Sequence, residues 1–248
     1  MRVIAVANQK GGVGKTTTTF NLGHGLAKRN HKVLLIDLDP QRSLTIQVKL
    51  GNQEKNTTTN IFEKSEIIPT YVDGVSIIPA TRRLSGIEMT LSNVLGREFI
   101  LKEAIEKIAK DFDYTIIDCP PNLGILTINA LIAAGEVLIP TELDQYSLQG
   151  IVDLTETIEK IKKLYNHNIL IVGILPFRVN PRRLISKVFL DSIEKLYPGR
   201  LCQSQIRVDV SLIEAVGYGR NIFDYQPESH GAQDYDALTV EISERKYV

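Results

Sequence analysis

The stretch Gln9-Lys10-Gly11-Gly12-Val13-Gly14-Lys15-Thr16, near the amino end, most constrains what this chain can fold into. The apolar run Val3-Ile4-Ala5-Val6-Ala7 precedes it, and Thr17 to Lys28 after it reads as a helix. Strand, glycine loop and helix, in that order, form the setting in which backbone N–H groups and a helix amino terminus cradle phosphate oxygens. The usual spacing of such a loop, G-x-x-x-x-G-K-[ST], asks for glycine where this chain has Gln9. What stands here is a variant with a second lysine, Lys10, at the loop's start. Lys15 is placed to neutralise the β- and γ-phosphates of a nucleotide, and the Thr16 hydroxyl to reach Mg2+.

The rest of the chain supplies a scaffold for such a loop. Val33-Leu34-Leu35-Ile36, Tyr114-Thr115-Ile116-Ile117, Glu136-Val137-Leu138-Ile139 and Ile169 to Leu175 are short, rich in β-branched residues and nearly unbroken. Strands buried on both faces of a parallel sheet read this way. Between them Leu101, Ala104, Ile105 and Ile108, and then Ile151, Leu154, Ile158, Ile161 and Tyr165, recur at helical spacing. Alternation of strand and helix predicts an α/β fold, a doubly wound and mostly parallel sheet flanked by helices. Ligands of such sheets sit outside the carboxyl ends of the strands. The glycine loop, Asp37 to Asp39 and Asp118 all follow strand ends, so the fold predicts that they converge.

Between Gly51 and Gly74 the sequence is polar and less regular. Thr57-Thr58-Thr59-Asn60 reads as the cap of a short helix through Ile61-Phe62, Val75 to Pro79 as a strand, and Arg82 to Leu95 as a helix. With no repeat, low-complexity tract or linker, one domain over residues 1–248 is expected. Lysine plus arginine number 29 and aspartate plus glutamate 29, so no net charge advertises nucleic acid, and any DNA contact needs local clustering. Two cysteines, Cys119 and Cys202, make neither a disulfide framework nor a four-cysteine metal site, and both read as small buried fillers. There is no apolar run long enough to span a bilayer, and the amino end does not read as a signal peptide, so the expected location is the cytoplasm.

Lys10-Gly11-Gly12-Val13-Gly14-Lys15-Thr16-Thr17 resembles the deviant Walker A box of the ParA/MinD family of P-loop ATPases. Asp37-Leu38-Asp39-Pro40-Gln41 and Asp118-Cys119-Pro120-Pro121 resemble its next two boxes, and the likeness covers most of the chain. The resemblance implies that residues 11–17 bind ATP and that Thr16, Asp39 and Asp118 serve Mg2+. It gives Asp39 the further role of positioning the attacking water; beside it Asp37 reads as help for the metal's outer shell, and Asn122-Leu123-Gly124, after the stiff Pro120-Pro121, as a switch loop sensing the γ-phosphate. Lys10 is implied to cross a homodimer interface to the partner's nucleotide, as an arginine finger does. Arg178 and Arg207 are implied to lie near the adenine.

Arg182, Arg183, Lys187 and Arg220 belong to a concentration of positive charge in the last third of the chain. In ParA-like relatives such a face binds DNA without sequence preference, which places the protein on the nucleoid. A ParB-like or other cargo adaptor is the implied second partner. MinD-like relatives end instead in a membrane helix rich in lysine. Here Asp234, Asp236, Glu241 and Glu244 would be repelled by anionic lipid, while Tyr235, Leu238 and Ile242 make one core-facing stripe, so no membrane partner is expected. An electron-transfer ATPase and an ATP-dependent ligase of the same fold are the remaining alternatives.

Overall fold

The apolar runs become strands of one sheet in the structure, a computed structural model that describes residues 1–165, 168–180 and 184–245. Among the described residues eight strands, β1 (Arg2–Val6), β2 (Val33–Asp37), β3 (Thr70–Val72), β4 (Val75–Ile78), β5 (Tyr114–Asp118), β6 (Glu136–Thr141), β7 (Leu170–Val179) and β8 (Ile206–Arg207), lie in the order β3-β4-β2-β5-β1-β6-β7-β8. All pairs are parallel except β3 with β4, a hairpin at one edge turned by Asp73 and Gly74, both at positive φ. The short β3 carries no apolar run, which is why its sequence gave no strand signal.

Alternate residues of the central strands enter opposite cores, as the two-residue period of a strand requires. Val3, Ala5, Leu34 and Ile36 face α5 (Ile100–Ile108), α6 (Ile125–Ala133), α7 (Gln145–Leu164) and α8 (Leu184–Leu196). Ile4, Val6, Leu35 and Ile116 face α1 (Lys15–Lys28), α9 (Val210–Tyr218), α10 (Ile222–Tyr225) and α11 (His230–Glu244). Tyr235, Leu238 and Ile242 of α11 are fully buried, so the acidic carboxyl-terminal helix packs its apolar stripe into the second core. Cys119 and Cys202 are buried one in each core and unpaired.

Register, more than strand identity, builds the site. Val6 pairs with Asp118 and Asp37 pairs with Asp118, so the strand end that opens the glycine loop and both acidic strand ends stop at one level. At the opposite end of the sheet the Arg2 guanidinium donates to both Glu136 oxygens at 2.7 and 2.6 Å and to the Ile242 carbonyl at 2.6 Å.

The polar stretch folds as α2 (Ser43–Gln47) and α3 (Thr58–Phe62), the latter inside a capping box formed by Thr57 and Asn60. The helix expected from Arg82 to Leu95 is instead a 3-10 turn, Arg82–Gly86, followed by the single-turn α4 (Ile87–Thr90). Its apolar residues Leu84, Ile87 and Leu91 still reach the first core, but Ser85-Gly86 and Ser92-Asn93 weaken helix on either side. Among the described residues no helix is long and apolar enough to cross a membrane.

Candidate nucleotide-binding site

A crevice of about 360 Å³ opens at the carboxyl ends of β1, β2 and β5, lined by the glycine loop, Lys15, Thr16, Asp39, Pro121 and Arg178 among others. Gly12 and Gly14 hold φ of 78° and 85°, values that side-chain-bearing residues rarely adopt, and Gly14 stands as the amino cap of α1. No acidic residue occupies the first turn of α1, so its amide end is open to an anion. Thr17 and Gly11 line the crevice, whereas the Val13 side chain is buried beneath the loop. Lys15 is also buried, and desolvation lowers its pKa against the opposing pull of Asp118. Its ammonium donates to the Lys10 carbonyl at 3.1 Å, a bond a phosphate can replace.

Asp118 is fully buried, and Thr16 Oγ1 donates to its Oδ2 at 2.7 Å while Oδ1 has no hydrogen-bond partner among the described residues. Burial, and then the nearby Asp37 charge, push the Asp118 carboxyl well above the usual carboxylate range. An orphaned buried oxygen costs about 1–3 kcal/mol. A hydroxyl and a carboxylate oxygen side by side at a phosphate loop are hard donors of the kind that suit Mg2+ and its waters. Thr16 and Asp118 therefore fit a magnesium ion. Asp39 fits the same crevice, with Oδ1 accepting from the Gln41 amide at 2.8 Å.

Asp37, level with Asp118 across the sheet, is held within its own turn. Its Oδ2 accepts from the Thr45 amide at 2.8 Å and the Thr45 hydroxyl at 2.6 Å, and its Oδ1 from the Asp39 amide at 3.1 Å. Burial raises its pKa to about 6, yet these donors bind the carboxylate into the turn that presents Asp39. The residue is a structural clamp.

Lys10 leaves the crevice and turns the other way. Its ammonium donates to Asp144 Oδ2 at 2.6 Å and Glu142 Oε2 at 2.9 Å, and meets Ser147 Oγ at 3.3 Å. Burial would lower the lysine's pKa, but the hydrogen bonds to Asp144 and Glu142 prevail and raise it. Asp144 also caps α7 by accepting from the Ser147 amide at 2.8 Å. Glu142 and Asp144 were not singled out in the sequence. The signal was available, since both follow the end of β6, and Asp-x-x-Ser is an amino-cap pattern.

Arg178 lies at a bulge, where the pairing of β7 with β8 shifts between Phe177 and Val179, and its φ is 55°. A non-glycine residue held there marks a site more often than a plain strand. The side chain borders the crevice and a second cavity of about 210 Å³ lined by Phe177, Val210, Leu212 and Ile213, which has the apolar walls a base requires. Arg207 lines that cavity too, but its guanidinium is held by Asp234 at 2.7 and 3.0 Å, tying β8 to α11.

Two of the four basic residues of the last third expected at DNA, Lys187 and Arg220, are described. Lys187 is exposed on α8, which packs into the first core through Ile193, whereas Arg220 adjoins α10, packed into the second. Those two helices pack on opposite faces of the sheet. Arg182 and Arg183 lie outside the described residues.

Comparison with known proteins places this geometry in a family. An AAA domain family, AAA_31, matches residues 1–171. The sporulation initiation inhibitor protein Soj of Bacillus subtilis is 37% identical over 98% of both chains. The chromosome partitioning protein ParA of Myxococcus xanthus is 37% identical over 98% of this chain and 88% of its own. Among solved structures, cobyrinic acid a,c-diamide synthase from Mycobacterium smegmatis, with bound ATP analogue and magnesium, is 32% identical, covers 97% of this chain and 93% of its own, and superposes with a TM-score of 0.83. With its lysine-flanked glycine loop and its two acidic strand ends at one level, this chain belongs to the ParA/MinD family of P-loop ATPases, on the branch of the Soj and ParA proteins.

Proposed function

We propose that this chain, as a single ATPase domain, hydrolyses ATP to ADP and phosphate and uses ATP to close into a homodimer. The dimer binds DNA and positions a cargo until an adaptor, ParB-like or specific to another cargo, speeds hydrolysis. A plasmid, a chromosome or a protein organelle such as a carboxysome would be moved by the same cycle, in the cytoplasm and on the nucleoid.

The observation that carries this reading is the division of labour between two lysines on one loop. Lys15 lines the subunit's own crevice, where an ammonium meets the β- and γ-phosphates. The Lys10 ammonium points away to Glu142 and Asp144. A second subunit lying across the crevice mouth would give Lys10 a phosphate in exchange for its two carboxylates. Mg2+, held by Thr16 and Asp118, would neutralise charge on the phosphates. Asp39 then orients the attacking water from a turn that Asp37 keeps in place. No histidine or glutamate lines the crevice among the described residues, so the base is weak and slow intrinsic turnover is expected.

The names of the relatives, a sporulation initiation inhibitor and a chromosome partitioning protein, support the DNA-linked branch. Sedimentation velocity with ATP and Mg2+ tests the core of the proposal. A dimer is expected for the wild type and a monomer for Lys10→Ala. A wild type that binds ATP and stays monomeric would sink it. DNA affinity should require ATP and fall steeply with salt. Turnover that ignored DNA and required a small organic acid would move the reading to a synthase of the same fold.

A further inference from the structure

The loop from Cys119 to Gly124 connects the buried Asp118 to α6, and its Pro121 lines the nucleotide crevice. Where α6 begins, its own cap residue, Gly124, has no side chain to accept an amide proton, and no side-chain cap is made from within the loop. The acceptor comes from elsewhere. Glu88 Oε1, on the one-turn α4, accepts from the Ile125 amide at 3.0 Å, across 37 positions of sequence. Gly124 is what admits it, because a Cβ at position 124 would overlap Glu88 Oε1, although the φ of −74° suits any residue.

The carboxylate does not float on a loose segment. Leu84, Ile87 and Leu91, around Glu88, are buried in the first core. Further along, Asn129 of α6 accepts from the Leu101 amide at 3.1 Å and donates to the Arg97 carbonyl at 2.9 Å. The segment from Leu84 to Leu101 thus grips α6 at its middle and, through Glu88, at its first amide. Within the loop, Thr127 Oγ1 donates to the Asn122 carbonyl at 2.6 Å, so fixing the start of α6 also fixes the loop before it.

We infer that Glu88 is a positioning residue for hydrolysis, holding the loop between Asp118 and α6 against the crevice from outside the site. It touches no reacting atom. The inference rests on the ATPase reading above.

The test uses the full chain and four variants, Glu88→Ala, Glu88→Gln, Gly124→Ala and the Glu88→Ala/Gly124→Ala pair. An amino cap contributes enough that its loss changes a local equilibrium by roughly five-fold. Glu88→Ala should therefore lower kcat about five-fold and leave the KM for ATP within about two-fold, while amide exchange across residues 119–128 accelerates. Glu88→Gln keeps an acceptor oxygen and should restore both turnover and protection. Gly124→Ala pushes the carboxylate away and should reproduce Glu88→Ala, the double variant being no worse than either. Full turnover in Glu88→Ala overturns the inference. So does equal loss in Glu88→Ala and Glu88→Gln, which would assign the charge and not the cap, and so does independent loss in the double variant. A wild type without ATPase activity removes the hydrolysis reading and this inference with it, and is distinguishable from those results because it appears before any substitution.

Discussion

Alanine placed in turn at Gly11, Gly12 and Gly14 should separate three effects that a glycine loop usually confounds. At Gly11 the φ is ordinary and a Cβ would meet nothing within 4 Å, so the stability change stays within about 0.5 kcal/mol, as for an unconstrained surface site. At Gly12 the space is equally open but φ is 78°, and left-handed backbone costs alanine about 1–2 kcal/mol. Gly14 adds a collision to the same strain. Its φ is 85°, and a Cβ would lie 2.5 Å from Phe177 Cζ, on a ring buried in the second core that cannot swing freely. Overpacking of that kind costs about 1–3 kcal/mol, which brings Gly14→Ala to about 2–5 kcal/mol in all.

A domain of this kind has about 5–15 kcal/mol in hand, so the variant should still fold and be measurable. Urea unfolding gives the ladder of stabilities, and titration with a fluorescent ATP analogue gives the affinities. Binding should fall furthest for Gly14→Ala, because Phe177 and Arg178 wall both the crevice and the neighbouring apolar cavity. Equal stabilities for Gly11→Ala and Gly14→Ala would refute the reasoning, since the loop could not then have the dihedral angles and the ring contact described.

Lys10→Ala should cost the isolated subunit at most about 1 kcal/mol, because its partners Glu142 and Asp144 are 26% and 40% exposed and water screens the pair, so thermal melting should barely move while the ATP-dependent dimer is lost. Arg2→Ala should be far more damaging, about 3–5 kcal/mol in urea unfolding, because it removes the guanidinium that holds both oxygens of Glu136, a carboxylate only 1% exposed. Glu241 is partly buried, which works against its charge, but the amides of Gln203 and Ser204 and the Arg245 side chain prevail and depress its pKa. The stability this lends is present above the ordinary glutamate pKa and lost as pH falls through the depressed one, so Glu241→Gln should flatten the acid limb of a stability–pH profile while lowering stability at neutral pH.

Much of the site was readable in one dimension because its parts obey local rules. Glycines before a lysine and threonine announce a phosphate loop, and β-branched runs announce buried parallel strands whose ends carry ligands. Thr57 and Asn60 announced their helix in the same way, through a cap that spans a few residues. Where the reading fell short, the missing information was a partner remote in sequence. Asp37 reads as a polar strand end, and only the fold shows the Thr45 amide and hydroxyl and the Asp39 amide donating to its carboxylate. The stretch from Arg82 to Leu95 kept its apolar spacing, but its small polar residues yielded to packing and left a turn and a half-helix.

The parts of the crevice, a glycine loop ending in Lys15 beside acidic strand ends, were therefore set by sequence alone, since a few adjacent residues suffice for each element. Folding decided everything that depends on which distant residues meet: Lys10 on Glu142 and Asp144, Glu88 on the first amide of α6, and α8 and α10 on opposite faces of the sheet. The physical reason is that strand register and helix packing set those meetings. Both follow from burying two cores at once, a condition no local pattern of residues records.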